Sequence, residues 1–342
     1  MSSLLTVSPK GLYCEAGAFH IDPWCPVERA LITHAHSDHV CAGSANYLSV
    51  TDGVGALRAR IGDSGSVESL RYGEMISTNG VHVSFHPAGH ILGSAQIRLE
   101  HQGEVWVVSG DYKLDPDPTC TPFEEVRCHV FVTESTFGLP IYRWRAESEI
   151  FAEIGRWWQS NRETGKASVL FVYPLGKAQR VLAGLNEPSG MIFTHGAVER
   201  YNRIYREIGV RLPETIPVSL APPRTDWSRA LILAPPSCNG SPWLRRFGRI
   251  STGFVSGWMR IRGARRRRSL DRGFVLSDHA DWPALTRAID GTGAARIWVT
   301  HGYRAPLVRW LTERGLEAVA VETRFEGEQD ESGTESVTEP EP

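Results

Sequence analysis

Between His34 and His39 the chain sets three imidazoles and a carboxylate within six residues, in the run Thr33-His34-Ala35-His36-Ser37-Asp38-His39. The run follows Ala30 to Thr33, a short apolar stretch that reads as a strand. His34 and His36 share a parity, so extended backbone points both rings the same way, whereas Asp38 and His39 on the following turn can face a second point nearby. This spacing suits two metal ions. It also limits the folds available, because the remaining ligands must converge on the same rim from the ends of other strands.

Two further residues meet that requirement. His90 follows the apolar run Val81 to Phe85 in the glycine turn PAGHILGSAQ, and Asp111 ends the run Val105 to Ser109 in the turn SGDY. Small glycines beside each ligand allow the backbone to approach closely. One more imidazole and a carboxylate able to bridge are what a dinuclear site built on the first four residues needs.

At 342 residues the chain exceeds what a single hydrophobic core usually holds, so two lobes, or one domain with a large insertion, are expected. Ala30 to Thr33, Tyr47 to Thr51, Val81 to Phe85, Ala95 to Leu99, Val105 to Ser109 and Val130 to Thr133 read as closely spaced strands, hence layered sheet. The texture changes after Gly138. Glu147 to Trp158 carries Ile150, Phe151, Ile154, Trp157 and Trp158 at helical spacing, then comes a strand from Val169 to Tyr173. A helix after Gly176, another over Val198 to Glu207 and a strand over Ala230 to Ala234 continue an α/β pattern. Compact structure resumes with strands at Phe274 to Leu276, Arg296 to Thr300 and Glu317 to Val321, and helices at Trp282 to Ile289 and Ala305 to Arg314.

Charge is unevenly spread. The segment from Glu326 to Pro342 carries seven carboxylates and no Lys or Arg, which predicts a solvated acidic tail. Subtracting it from the net charge of −2 leaves about +5 for the rest of the chain. Between Arg245 and Arg272 lie Arg246, Arg249, Arg260, Arg262 and the run Arg265 to Arg268 against the single acid Asp271, a density that attracts a polyanion. The six cysteines form no CxxC pair and no signal peptide or long apolar span is present, so a cytoplasmic protein with neither disulfides nor a membrane segment is expected.

The order of these motifs, strand then HxHxDH, then AGHxxGS, then SGDY, resembles the metallo-β-lactamase fold. Thr133-Glu134-Ser135-Thr136-Phe137-Gly138, Ser277-Asp278-His279-Ala280-Asp281 and Thr300-His301-Gly302 resemble motifs A, B and C of the β-CASP nucleases, and Gly253 to Trp282 is similar to the bacterial ligase-associated DNA exonucleases. The resemblance implies an αββα sandwich formed by residues 1–140 and 273–325, with a β-CASP α/β lobe inserted at 141–272. It implies that His34, His36, His90 and Asp111 hold one divalent ion and that Asp38, His39, His301 and the shared Asp111 hold another, zinc foremost and manganese as the alternative. Asp38 would also orient the attacking hydroxide, His279 would act as general acid, and Glu134 would fix its tautomer.

In the inserted lobe, Pro174-Leu175-Gly176-Lys177-Ala178-Gln179 follows a strand and opens a helix, so its amides and Lys177 could meet a phosphate. Arg260, Arg262 and Arg265 are candidate backbone contacts, with Trp243 and Trp258 as stacking surfaces or core residues. The implied activity is hydrolysis of phosphodiester bonds by a DNA exonuclease in repair, with a DNA ligase or helicase as partner. An RNA-processing nuclease is the alternative, since histidine at motif C is more typical of RNA-acting members. A small-molecule hydrolase of the same fold would need neither the inserted lobe nor motifs A to C.

Overall fold

The computed structural model describes residues 3–185, 190–261 and 270–323. They form two compact units, one taking in the chain up to Arg143 and again from His279, the other spanning Trp144–Asp278. Arg262, Arg265 and the acidic segment from Glu326 lie outside the described residues.

The first unit opens with a six-stranded sheet whose order follows the chain: β1 (Thr6–Ser8), β2 (Gly11–Cys14), β3 (Phe19–Ile21), β4 (Arg29–Leu31), β5 (Asn46–Val50) and β6 (Ser66–Leu70). Helix α1 (Val54–Ile61) lies between β5 and β6. A second sheet begins with β7 (Met75–Thr78), β8 (Val81–Pro87), β9 (Ala95–His101), β10 (Glu104–Val108) and β11 (Val130–Glu134). In β8 the period is two, with Val81, Val83 and Phe85 packed inward and His82 exposed. Strand β11 is buried along its whole length. Val130 and Val132 join the core between the sheets, and Phe131 joins the core on the opposite face, which is why its sequence reads as a continuous apolar run.

After helix α2 (Glu147–Glu163) the chain builds the second unit from β12 (Ala167–Phe171), α3 (Lys177–Gly184), β13 (Ile192–Thr194), α4 (Gly196–Glu207), β14 (Ile216–Pro217), β15 (Leu231–Ala234), β16 (Ile250–Val255) and β17 (Arg272–Phe274). All pairings in this sheet are parallel, in the order β14-β13-β15-β12-β16-β17. Ile150, Ile154 and Trp158 recur every fourth residue on one stripe of α2 and are buried against Leu170, Val172 and Leu233. Each aliphatic side chain so buried contributes about 1.5–3 kcal/mol.

The chain returns to the first unit through α5 (Trp282–Thr292), β18 (Arg296–Thr300), α6 (Arg304–Glu313) and β19 (Glu317–Ala320). Asp281 caps α5 by accepting the Ala284 amide at 3.0 Å, with Pro283 in the first turn. β18 pairs in parallel with β11, completing a seven-stranded sheet in the order β19-β18-β11-β10-β9-β8-β7. Leu285, Ala288 and Ile289 of α5 and Leu307 and Leu311 of α6 cover its outer face over Val107, Phe131, Ile297 and Val299. The inner face packs on the first sheet through Phe19, Ile21, Leu31, Val83, Phe85, Ile97 and Trp106. Among the described residues no helix is long and apolar enough to cross a membrane.

Candidate metal centre

The histidine run begins where β4 stops. Ile32 still donates to Leu48 of the first sheet at 2.9 Å, and the Thr33 carbonyl accepts from Ala95 of the second at 2.8 Å, so the segment enters the site tied to both layers. The run then turns through a His39 N–H to His36 carbonyl bond of 3.1 Å. Gly110 must be glycine: its φ is +56°, and a Cβ there would sit 2.6 Å from Thr33 Cβ. The close approach brings Asp111 onto the histidines.

His34, His36, His39, His90 and Asp111 are all buried. His36 Nδ1 lies 3.1 Å from both His34 Nε2 and His90 Nε2. Asp111 Oδ2 lies 3.6 Å from His34 Nε2, 3.9 Å from His90 Nε2 and 3.4 Å from His39 Nε2. Ligand atoms of His34, His36, His90 and Asp111 are all within 4.8 Å of one another, and the same holds for Asp38, His39 and His301. Three imidazoles and a carboxylate converging in this way form a nitrogen and oxygen donor set suited to zinc. Two atoms test the fit directly. His39 Nε2 and Asp111 Oδ1 are buried without a hydrogen-bond partner among the described residues, an arrangement that costs about 1–3 kcal/mol per group unless something else satisfies them. A divalent cation does so.

Electrostatics agree. Burial, reinforced by the neighbouring His39, His36 and His90, holds His34 well below its ordinary range, so its ring is neutral and its lone pair available. Burial would likewise depress His39, but the carboxylates of Asp111, Asp38 and Asp22 outweigh it and hold the ring well above its usual value. Burial would raise Asp111, yet His39, His279 and His34 keep it well below the carboxylate range. The three carboxylates beside His39 therefore favour positive charge at this point, which a bound divalent cation would supply.

His279 and Glu134 form an adjoining pair. Nδ1 of His279 is 2.9 Å from Glu134 Oε2, and Tyr112 N–H donates to Oε1 at 2.8 Å, so the Nδ1 edge of the ring faces the carboxylate and Nε2 points away from it. His279 Nδ1 is also 3.9 Å from Asp111 Oδ2, and its ring centroid is 4.7 Å from that of His90.

His301 arrives from the end of β18. Its ring stacks on His39 at 5.1 Å, and its backbone takes the left-handed value φ +47°, which costs a residue with a side chain on the order of 1 kcal/mol. Asp22, which sequence reasoning overlooked, braces the opposite side. Its carboxylate is 2.7 Å from His39 Nδ1 and accepts the Thr33 amide at 2.8 Å and hydroxyl at 2.6 Å. In the sequence it is one acid before a proline, indistinguishable from a turn residue.

The nucleic-acid contacts expected in the inserted lobe fare differently. Lys177 is wholly buried with Nζ 2.8 Å from Asp278 Oδ2, and the Gly176 amide donates to the Gln179 side chain at 2.8 Å. Both groups offered to a phosphate are thus used inside the lobe, because the Gly-Lys turn caps its own helix. Arg260 is exposed in a 3-10 turn over Gly257–Arg260. Trp243 and Trp258 are half-buried against a core that includes Phe254 and Met259.

No family model matches the chain. It is 32% identical over 315 residues to a probable DNA ligase of Opitutus terrae, a match covering 91% of this chain and 30% of the relative. It is 30% identical over 125 residues to cleavage and polyadenylation specificity factor subunit 3 of Dictyostelium discoideum, covering 35% of this chain and 16% of the relative. It is 28% identical over 123 residues to endoribonuclease YSH1 of Saccharomyces cerevisiae, covering 35% and 16%. The chain thus spans less than a third of the length of each. Its fold is similar to a crystal structure of a protein of unknown function from Enterococcus faecalis, with a TM-score of 0.53 at 12% identity over 79% of this chain and 74% of that one. These relatives, an α/β fold of mixed sheets and the ordered ligand motifs fit the β-CASP family of the metallo-β-lactamase fold.

Proposed function

We propose that this protein is a metal-dependent nuclease holding two divalent cations, zinc foremost and manganese as the alternative. The observation that carries the reading is the convergence of seven side chains from four separate stretches of chain, with two buried polar atoms left for a cation to satisfy. His34, His36, His90 and Asp111 would hold one ion and Asp38, His39 and His301 the other, with Asp111 between them. When bound, such a pair acidifies water and neutralises phosphate charge.

The chain's own residues do the rest. Asp38 orients the attacking oxygen from the rim of the second group. His279, its Nδ1–H held by Glu134, offers Nε2 as the atom that protonates the departing sugar oxygen, which otherwise leaves poorly. Residues 1–140 and 273–325 would be the metallo-β-lactamase domain and 141–272 the β-CASP insertion. Arg260 would contact the nucleic-acid backbone together with Arg262 and Arg265.

DNA is the favoured substrate, cut from an end during repair, because the relative matched along most of this chain carries the name of a DNA ligase. A ligase is accordingly the favoured partner, with a helicase next. The second reading, RNA processing, rests on the endoribonuclease relatives and on histidine at position 301. End-labelled DNA and RNA, single and double stranded, incubated with zinc or manganese, separates the two. Metal-dependent shortening of labelled DNA is expected. Cleavage of RNA alone would overturn the substrate, and no cleavage of either would overturn the nuclease.

A further inference from the structure

The third ligand of the second ion group stands on an unfavourable turn. His301 has φ +47° and Gly302 φ +61°, two left-handed residues in succession just past the end of β18. Left to local preference, a histidine there returns to right-handed or extended backbone and its ring swings off the site. Something must over-determine the turn, and the neighbouring strand supplies it.

Glu134 ends β11 in register with Thr300 of β18, so Ser135 comes level with His301. Ser135 is fully buried, and its hydroxyl points its single proton at the carbonyls of Thr300, at 3.0 Å, and of His301. Its own carbonyl accepts the Tyr303 amide at 2.9 Å, closing the turn from the other end. The packing tolerates no side chain at Gly302, where a Cβ would lie 2.4 Å from Ser135 O and 2.5 Å from Thr136 Cα. Ser135 thus grips both flanks of His301, and among the described residues its hydrogen bonds reach neither the imidazole nor any residue of the first ion group.

We infer that Ser135 is a positioning residue that sets the affinity of the second cation alone, so that the two ions can be uncoupled by one hydroxyl. The inference rests on the two-cation reading. Calorimetric titration of chelator-stripped protein with zinc, checked by elemental analysis after dialysis, tests it. Wild type is expected to take up two ions. Ser135→Ala should bind the first unchanged and the second about 10–100-fold more weakly, the usual cost of losing a group that orients a ligand. Ser135→Thr, which keeps the hydroxyl, should restore it.

Gly302→Ala displaces the same turn sterically and should give the same selective loss, while retention of the first ion reports that the surrounding fold persists in each variant. The inference falls if Ser135→Ala binds both ions with wild-type affinity, or loses both together. Uptake of one ion or none by wild type instead removes the two-cation reading on which it stands.

Discussion

Two buried polar clusters, one in each unit, use similar residue types and reach opposite ends. In the inserted unit Lys177 and Arg180 face Asp278 and Glu147, with Nζ to Oδ2 at 2.8 Å and Arg180 Nη1 at 3.3 Å from a carboxylate oxygen of each. Arg180 also donates to the Ser277 carbonyl at 2.8 Å. Two cations meet two carboxylates, and the charge closes on itself. In the other unit six imidazoles, those of His34, His36, His39, His90, His279 and His301, gather about Asp38 and Asp111. A cation from outside would close that cluster. The difference shows how a buried strut is told from a binding centre: by whether its own lysines or arginines balance its carboxylates.

The largest expected effect attacks the shared member of the open cluster. Asp111→Asn should drop both metal content and turnover, the latter beyond the ~10²–10⁴-fold loss expected of removing a general acid. Elemental analysis beside a cleavage assay would read it, and a variant with full metal would break the contrast. Next, His279→Ala should retain both ions yet lose turnover by ~10²–10⁴-fold. If it cuts at the wild-type rate, the acid lies elsewhere.

The closed cluster should respond in stability rather than chemistry. Lys177→Met takes away a cation that the buried Asp278 faces at 2.8 Å and should cost about 3–5 kcal/mol in denaturant unfolding, with metal content unchanged. Depletion of metal in this variant would mean that the two clusters are not separable. Smallest of all, Arg260→Ala should lower the salt slope of nucleic-acid binding by about one unit while leaving metal and fold alone. A slope identical to wild type would exclude it as a phosphate contact.

What the sequence revealed and what it concealed follows from the range over which each signal acts. β18 falls where its apolar run ends on both sides, at Arg296–Thr300, and α2 was visible in the spacing of Ile150, Ile154 and Trp158. β1, β6 and β7 left no such trace because they are short and largely exposed, and β2 and β3 because they are only four and three residues long, so their pairing comes from tertiary contacts. The side chains that gather into the candidate metal groups could be picked out because metal chemistry favours particular residue types at strand ends. The braces were not. Asp22 is 17 positions from His39, and Ser135 is 166 from His301, and neither carries a local pattern. Lys177 shows the reverse case, where a suggestive Gly-Lys turn proved to be committed internally, 101 positions away at Asp278.

Elemental analysis of protein purified without chelator speaks most directly to the central claim that these side chains hold a pair of cations. Two divalent ions per chain is the expected result, whereas one or none would contradict the account.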